Sequence, residues 1–227
     1  MERVLCLVMG YVFGLFQTGY LYSRSKHMDI RNYGSGNSGS TNVLRVMGKK
    51  AGLIVFLGDA GKMIAACLIT RVLFRSQPEL LYVYLLYTGF GVILGHNFPF
   101  YMGFKGGKGI AASAGLLAST DWRVMLVCLV VFVAAVAITR YVSLGSILVM
   151  ICFFIGMVFF GARGDFGIAA AHLTEFYVLA GLIRLAWFNV SEEVRQDETE
   201  EKRKYYQGLP ITSMAVIMPL LFVVSVF

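Results

Sequence analysis

Long apolar runs recur along the chain, separated by short polar stretches. A helix needs about 20 mostly apolar residues to cross a bilayer. Runs of that kind cover residues 4–22, 51–73, 80–95, 124–139, 144–162, 168–190 and 209–227. A shorter apolar run at 109–119 is counted as a further span that starts in the loop before it, the alternative being a re-entrant segment. The pattern predicts an all-α protein, a polytopic transmembrane helical bundle of seven or eight spans. The first run has the look of a signal peptide, but its small-residue cleavage site is weak and polar motif sequence follows at once. It is read as a retained helix.

Composition agrees. Of 227 residues, 58% are hydrophobic and 15% charged, with mean hydropathy +0.71. Soluble domains carry about 45–50% apolar and about 25% charged residues. Disorder, an extended nucleic-acid-binding face and most soluble enzymes are thereby excluded. The lipid bilayer is the expected partner, and nucleic acid is not. The four cysteines, Cys6, Cys67, Cys128 and Cys152, sit in apolar runs and form no CxxC pair, which argues against a disulfide framework or a zinc site.

Net charge is +7, and its distribution sets sidedness. Residues 23–50 hold Arg24, Lys26, Arg31, Arg45, Lys49 and Lys50 against one acid, Asp29. The positive-inside rule makes this loop cytoplasmic and the N-terminus external. Alternation then places 96–108, 140–143 and 191–208 on the cytoplasmic side as well. The placement of 140–143 depends on 109–119 crossing. Two ionisable residues, Asp59 and Lys62, fall inside the second long run, three positions apart on one helical face. They read as a mutual ion pair that permits burial, or as support beneath a site. No internal repeat is visible. Residues 1–162 are taken as one unit and 163–227 as a tail of different character.

Three polar stretches carry candidate chemistry. The first runs from Tyr33 through Ser35, Gly36, Asn37, Gly39, Thr41 and Asn42 to Arg45. Gly34-x-Gly36-x-x-Gly39 matches the dinucleotide fingerprint formally, but no strand precedes it. Glycines can still converge backbone N–H groups on an anion, hydroxyl and amide side chains add donors, and the helix that follows adds a favourable dipole. Arg45 offers a bidentate fork for phosphate. The second runs Gly95-His-Asn-Phe-Pro-Phe-Tyr-Met-Gly-Phe-Lys-Gly-Gly-Lys-Gly109. Lys105, Gly106, Gly107 and Lys108 form an open, cationic turn without a P-loop's GK[ST] ending. His96 lies beside it. The third, from Arg140 to Ser146, places Ser143 at the start of a span, as a helix cap alone or as a cap and anion ligand together.

The order and spacing of these three stretches resemble the bacterial acyl-phosphate:glycerol-3-phosphate acyltransferases, the PlsY family, over about residues 1–160. The resemblance implies a multi-pass enzyme of the bacterial inner (cytoplasmic) membrane with its active site facing the cytoplasm. It implies transfer of a fatty acyl group from acyl phosphate to the 1-position of sn-glycerol 3-phosphate, the first step of phospholipid synthesis, without cofactor or metal. Other phospholipid-synthesis enzymes are its implied partners. The anionic substrates suit cationic, glycine-rich loops, and an acyl chain suits a site among membrane helices. None of the three histidines is followed by Asp five residues on, so the His-x₄-Asp acyltransferase class is excluded.

Asn37, His96 and Lys108 are the expected catalytic residues, with Ser35, Gly36, Gly39, Thr41, Asn42, Arg45, Lys105, Gly106, Gly107 and Ser143 binding substrate. Arg45, Ser35, Lys108 and Ser143 would hold the phosphate of glycerol 3-phosphate. The amides at Gly106 and Gly107, with Lys105, would hold the acyl phosphate and its developing oxyanion. His96, or the departing phosphate, would take the hydroxyl proton.

The tail differs. Residues 182–190 and 202–213 resemble the C-terminal part of phosphatidylserine synthases of the CDP-alcohol phosphotransferase family. That family's Asp-x₂-Asp-Gly-x₂-Ala-Arg signature is absent. The alternatives are therefore a phosphatidylserine synthase-related protein without its catalytic aspartates, and a non-enzymatic anion-binding membrane protein such as a transporter. A transporter would place polar groups at broken helices near the bilayer midplane.

Overall fold

The computed structural model describes residues 1–139, 142–161, 163 and 164. Among these, every regular element is helical. The helices are α1 (Glu2–Gly14), α2 (Thr18–Ser25), α3 (Ser40–Met47), α4 (Lys49–Leu73), α5 (Leu81–Asn97), α6 (Ile110–Thr120), α7 (Trp122–Thr139) and α8 (Val142–Gly161). Helices satisfy their own backbone polar groups, which a hydrocarbon environment demands.

Five stretches among the described residues are long and apolar enough to cross a membrane: Glu2–Ser25, Lys49–Leu73, Pro78–Met102, Trp122–Thr139 and Leu144–Gly161. They coincide with the runs expected at 4–22, 51–73, 80–95, 124–139 and 144–162. The runs at 168–190 and 209–227 lie outside the described residues, as does the phosphatidylserine synthase-like tail. The short run at 109–119 forms α6, whose 11 residues span about 16 Å, roughly half the hydrocarbon core.

The chain divides into two compact units, Met1–Thr120 and Asp121–Phe227. In the second, α7 and α8 pack together, with Gly156 against Val124 and Gly145 against Phe132. The first unit holds both long polar loops. Its α4 packs against α1, α3, α5 and α6. Ile30, Val43, Ala51 and Val55 form a buried cluster that fixes the first loop and α3 on the start of α4.

Two features of the first unit position the site. The first is a glycine seam between α1 and α5. A Cβ at Gly10 or Gly14 would collide with the Thr88 or Val92 carbonyl, and one at Gly91 or Gly95 with that of Leu7 or Tyr11. The sequence shows this seam as Gly10-xxx-Gly14 and Gly91-xxx-Gly95, the small-residue spacing that lets membrane helices approach closely. The second is a break in the first span between Gly14 and Thr18. Helix ends leave carbonyls without intrahelical partners. Here other side chains take them: Tyr101 Oη donates to the Leu15 carbonyl at 2.6 Å and Lys62 Nζ to that of Phe16 at 2.5 Å.

Candidate active site

The first polar loop is held by its own amides. Asn42 is 3% exposed, so its side chain needs partners inside the protein. Its Nδ2 donates to the carbonyls of Asn37 (2.9 Å), Tyr33 (3.0 Å) and Ile30 (3.4 Å), and its Oδ1 accepts from the Ser35 amide at 2.9 Å. Asn42 thus organises the loop from within. Asn37 turns the loop outward: its Oδ1 accepts from the Gly39 amide at 2.8 Å, and its Nδ2 donates to the Gly106 carbonyl at 3.4 Å. That second bond ties the first loop to the second.

The second loop folds back over the end of α5. The Gly106 amide donates to the Asn97 carbonyl at 2.9 Å, and the Gly107 amide to that of His96 at 3.0 Å. The amides expected to cradle an acyl phosphate are therefore turned inward. The glycines serve close approach instead. A Cβ at Gly106 would strike the His96 carbonyl, and one at Gly107 the His96 ring at Nε2.

Between the loops lies a crevice of about 30 Å³ lined by Asn37, Gly39, Ser40, Thr41, Asp59, His96, Lys108, Gly109, Ile110 and Ala111. Ser40 and Thr41 belong to the first turn of α3, and Ile110 and Ala111 to the first turn of α6. Two helix N-termini thus meet at one place. Each carries first-turn N–H groups without intrahelical partners and a partial positive charge. No side chain caps α3, whose N-cap is Gly39. The half-buried Lys108 adds a full charge. This is an anion-binding arrangement built mainly of backbone.

Beneath the crevice sits a buried polar cluster. Asp59, Lys62 and His96 are 1%, 7% and 2% exposed. Lys62 Nζ lies 3.0 Å from Asp59 Oδ1 and 2.9 Å from His96 Nδ1. It also faces the carbonyls of Phe16 and, at 3.3 Å, Gly14, both released by the break in the first span. Thr18 Oγ1 donates to Asp59 Oδ1 at 3.0 Å. Gln17 Nε2 donates to the His96 carbonyl at 2.7 Å. The ion-pair reading of Asp59 and Lys62 holds, and Asp59 also lines the crevice.

Of the expected site residues, Asn37, Gly39, Thr41, His96 and Lys108 line the crevice, while Gly106 and Gly107 pack beside His96. Ser35, Arg45 and Lys105 are exposed and Gly36 is half-buried, all away from the crevice lining. Arg45 sits in the last turn of α3, the end opposite the crevice. The side chain of Ser143 lies outside the described residues, as does Arg140. Sequence reasoning passed over Ser40, which stood inside a motif it quoted, and Gln17, whose signal was a lone amide interrupting an apolar run.

A family model described as Glycerol-3-phosphate acyltransferase matches residues 4–195. A glycerol-3-phosphate acyltransferase of Clostridioides difficile (strain 630) is 44% identical over 152 residues, 66% of this chain and 74% of the relative. Glycerol-3-phosphate acyltransferase 2 of Lactobacillus acidophilus is 37% identical over 197 residues, 86% of each chain. The crystal structure of PlsY (YgiH), an integral membrane glycerol 3-phosphate acyltransferase, superposes in its glycerol 3-phosphate form with TM-score 0.73 at 28% identity, covering 98% of this chain and 100% of that one.

Proposed function

The chain belongs to the glycerol-3-phosphate acyltransferase family, and we propose that it moves a fatty acyl group from acyl phosphate to the 1-hydroxyl of sn-glycerol 3-phosphate. The products are lysophosphatidic acid and inorganic phosphate. The observation that carries the reading is the meeting of two helix N-termini, Lys108 and buried His96 at one crevice. Acyl phosphate is a mixed anhydride and already activated, so no acyl-enzyme is needed. The chain's task is to neutralise phosphate charge, align the hydroxyl and stabilise the oxyanion. We assign phosphate binding to Lys108 and to the first turns of α3 and α6, with Asn37 holding the two loops in register. The exposed Arg45 and Lys105 draw the anionic substrates toward the loops by their charge.

A transporter would expose unpaired carbonyls at a broken span. The break at residues 15–17 is of that kind, but Lys62, Gln17 and Tyr101 occupy its carbonyls. The loops are assigned to the cytoplasmic face of a bacterial inner membrane. Cysteines at Ser35, Lys105 and Ser143 should all label from that side, and labelling from opposite sides would refute the sidedness.

Purified protein is incubated with acyl phosphate and radiolabelled glycerol 3-phosphate, with acyl-CoA in parallel. Lysophosphatidate forms from acyl phosphate. Lys108→Ala abolishes transfer while the protein stays monodisperse in detergent. Near-normal turnover by that variant would overturn the assignment.

A further inference from the structure

We propose that Lys62 and Asp59 are positioning residues that hold His96 as a hydrogen-bond donor, its Nε2–H directed at the crevice, rather than as a general base. The proposal deepens the acyl-transfer reading and rests on it for the identity of the acceptor.

The argument is a count of protons and lone pairs. Three neighbours of Lys62 Nζ can only accept, the Phe16 and Gly14 carbonyls and Asp59 Oδ1, and the fourth is His96 Nδ1, which donates or accepts according to its tautomer. An ammonium has three donors and no lone pair. A neutral amine there would leave the Asp59 carboxylate buried and unpaired, at a cost of several kcal/mol. Lys62 is therefore the ammonium, and Nδ1 of His96 accepts from it at 2.9 Å. A neutral imidazole that accepts at Nδ1 carries its proton at Nε2. Asp59 does not compete for an Nδ1 proton, since its Oδ1 lies 3.7 Å away, beyond hydrogen-bond range. An imidazolium would set a second buried cation against the first.

The other edge of the ring lies against Gly107, where a Cβ would strike Nε2. Among the described residues the ring hydrogen-bonds at Nδ1, and Nε2 is not fully buried: the one fully buried side-chain atom without a partner is Asn97 Oδ1. His96 lines the same crevice as Lys108 and the two helix N-termini, where an oxygen of the bound substrate can accept from Nε2. We assign it the acyl phosphate's carbonyl oxygen, which gains negative charge as the reaction proceeds. In that step the glycerol oxygen bonds to the acyl carbon and the anhydride C–O bond breaks. Its electron pair leaves with phosphate, which also takes the hydroxyl proton. His96 gives and takes no proton overall.

The test has a spectroscopic arm independent of turnover. Protein labelled with ¹⁵N-histidine is examined in detergent by NMR, and His96→Gln identifies the His96 signals among those of His27 and His172. The expected state is neutral, with Nε2 protonated and Nδ1 bare. In Lys62→Met no donor remains at Nδ1, and the Nδ1-protonated form gains population. An Nδ1-protonated or imidazolium ring in the unsubstituted protein overturns the proposal, whatever the variants do. The kinetic arm compares His96→Gln with His96→Ala. The glutamine amide can donate where Nε2 does but cannot act as a base. Loss of an oxyanion donor lowers kcat by about 10²–10³, so the alanine variant should fall that far and the glutamine variant recover at least about tenfold of it. Equal loss in both overturns the donor role. If the unsubstituted protein does not use acyl phosphate, the reaction reading fails while the NMR result stands on its own.

Discussion

Two acid–base pairs in the first unit use the same chemistry in opposite settings. Asp29 and Arg31 meet at 2.7 Å in the first loop, with side chains 15% and 35% exposed. Arg31 also stacks over Tyr20, 4.8 Å from the ring centroid. Asp59 and Lys62 meet at 3.0 Å with side chains 1% and 5% exposed. Water screens the first pair and offers each partner an alternative when the other is removed. The second pair is almost wholly enclosed by protein, with Asp59 alone reaching the crevice. Distance alone therefore says little about what an ion pair is for. The exposed pair shapes a turn: Asp29 Oδ1 also accepts from the Arg31 amide at 3.1 Å. The buried pair fixes the ring of His96 and closes a broken helix.

The contrast is sharpest for single deletions at the buried pair. Asp59→Asn or Lys62→Met strands a charge and should destabilise by about 3–5 kcal/mol, read from thermal melts in detergent. The double variant should regain a substantial part, and if it melts no higher than the singles the two are not acting as a pair. Next comes Gly107→Ala. Its Cβ has no room beside His96, so it should cost about 1–3 kcal/mol and lower kcat more than it raises KM, because the ring is displaced. Gln17→Ala removes the 2.7 Å bond to the His96 carbonyl and should cost about 1 kcal/mol.

The smallest effect belongs to Arg31→Ala, within about 1 kcal/mol at neutral pH. Its sign with pH is fixed. The hydrogen bond from Arg31 holds the Asp29 carboxyl below the usual carboxylate range. A depressed folded pKa adds stability above the unfolded pKa, and that stability is lost as pH falls through the folded value. The melting difference between Arg31→Ala and the unsubstituted protein should shrink to nothing in acid. A difference that grows in acid would break the comparison.

The fold was mostly legible because its signal is one-dimensional. An apolar run of about 20 residues names a membrane helix regardless of its neighbours, and five such runs reappear as helices. The site was legible in part. Residue type and spacing led us to expect anion binding at Asn37, Gly39, Thr41 and Lys108, and the structure places these four along one crevice. Asn42 and Gly106–Gly107 carry the same residue types yet face inward. Glycine marks both an amide offered to a ligand and a backbone pressed against a side chain, and composition does not separate the two.

Hydropathy and charge along the chain determined that this protein lives in a membrane, that its polar chemistry gathers in short loops, and that Asp59 and Lys62 share a helical face. Only the tertiary structure decided what that pair touches. His96 is 34 positions beyond Lys62, and the carbonyls of Gly14 and Phe16 are 48 and 46 before it. They converge because the first span breaks where the glycine seam presses α1 onto α5. A hydrogen bond depends on atoms within about 3 Å of each other, and sequence separation carries no such distance.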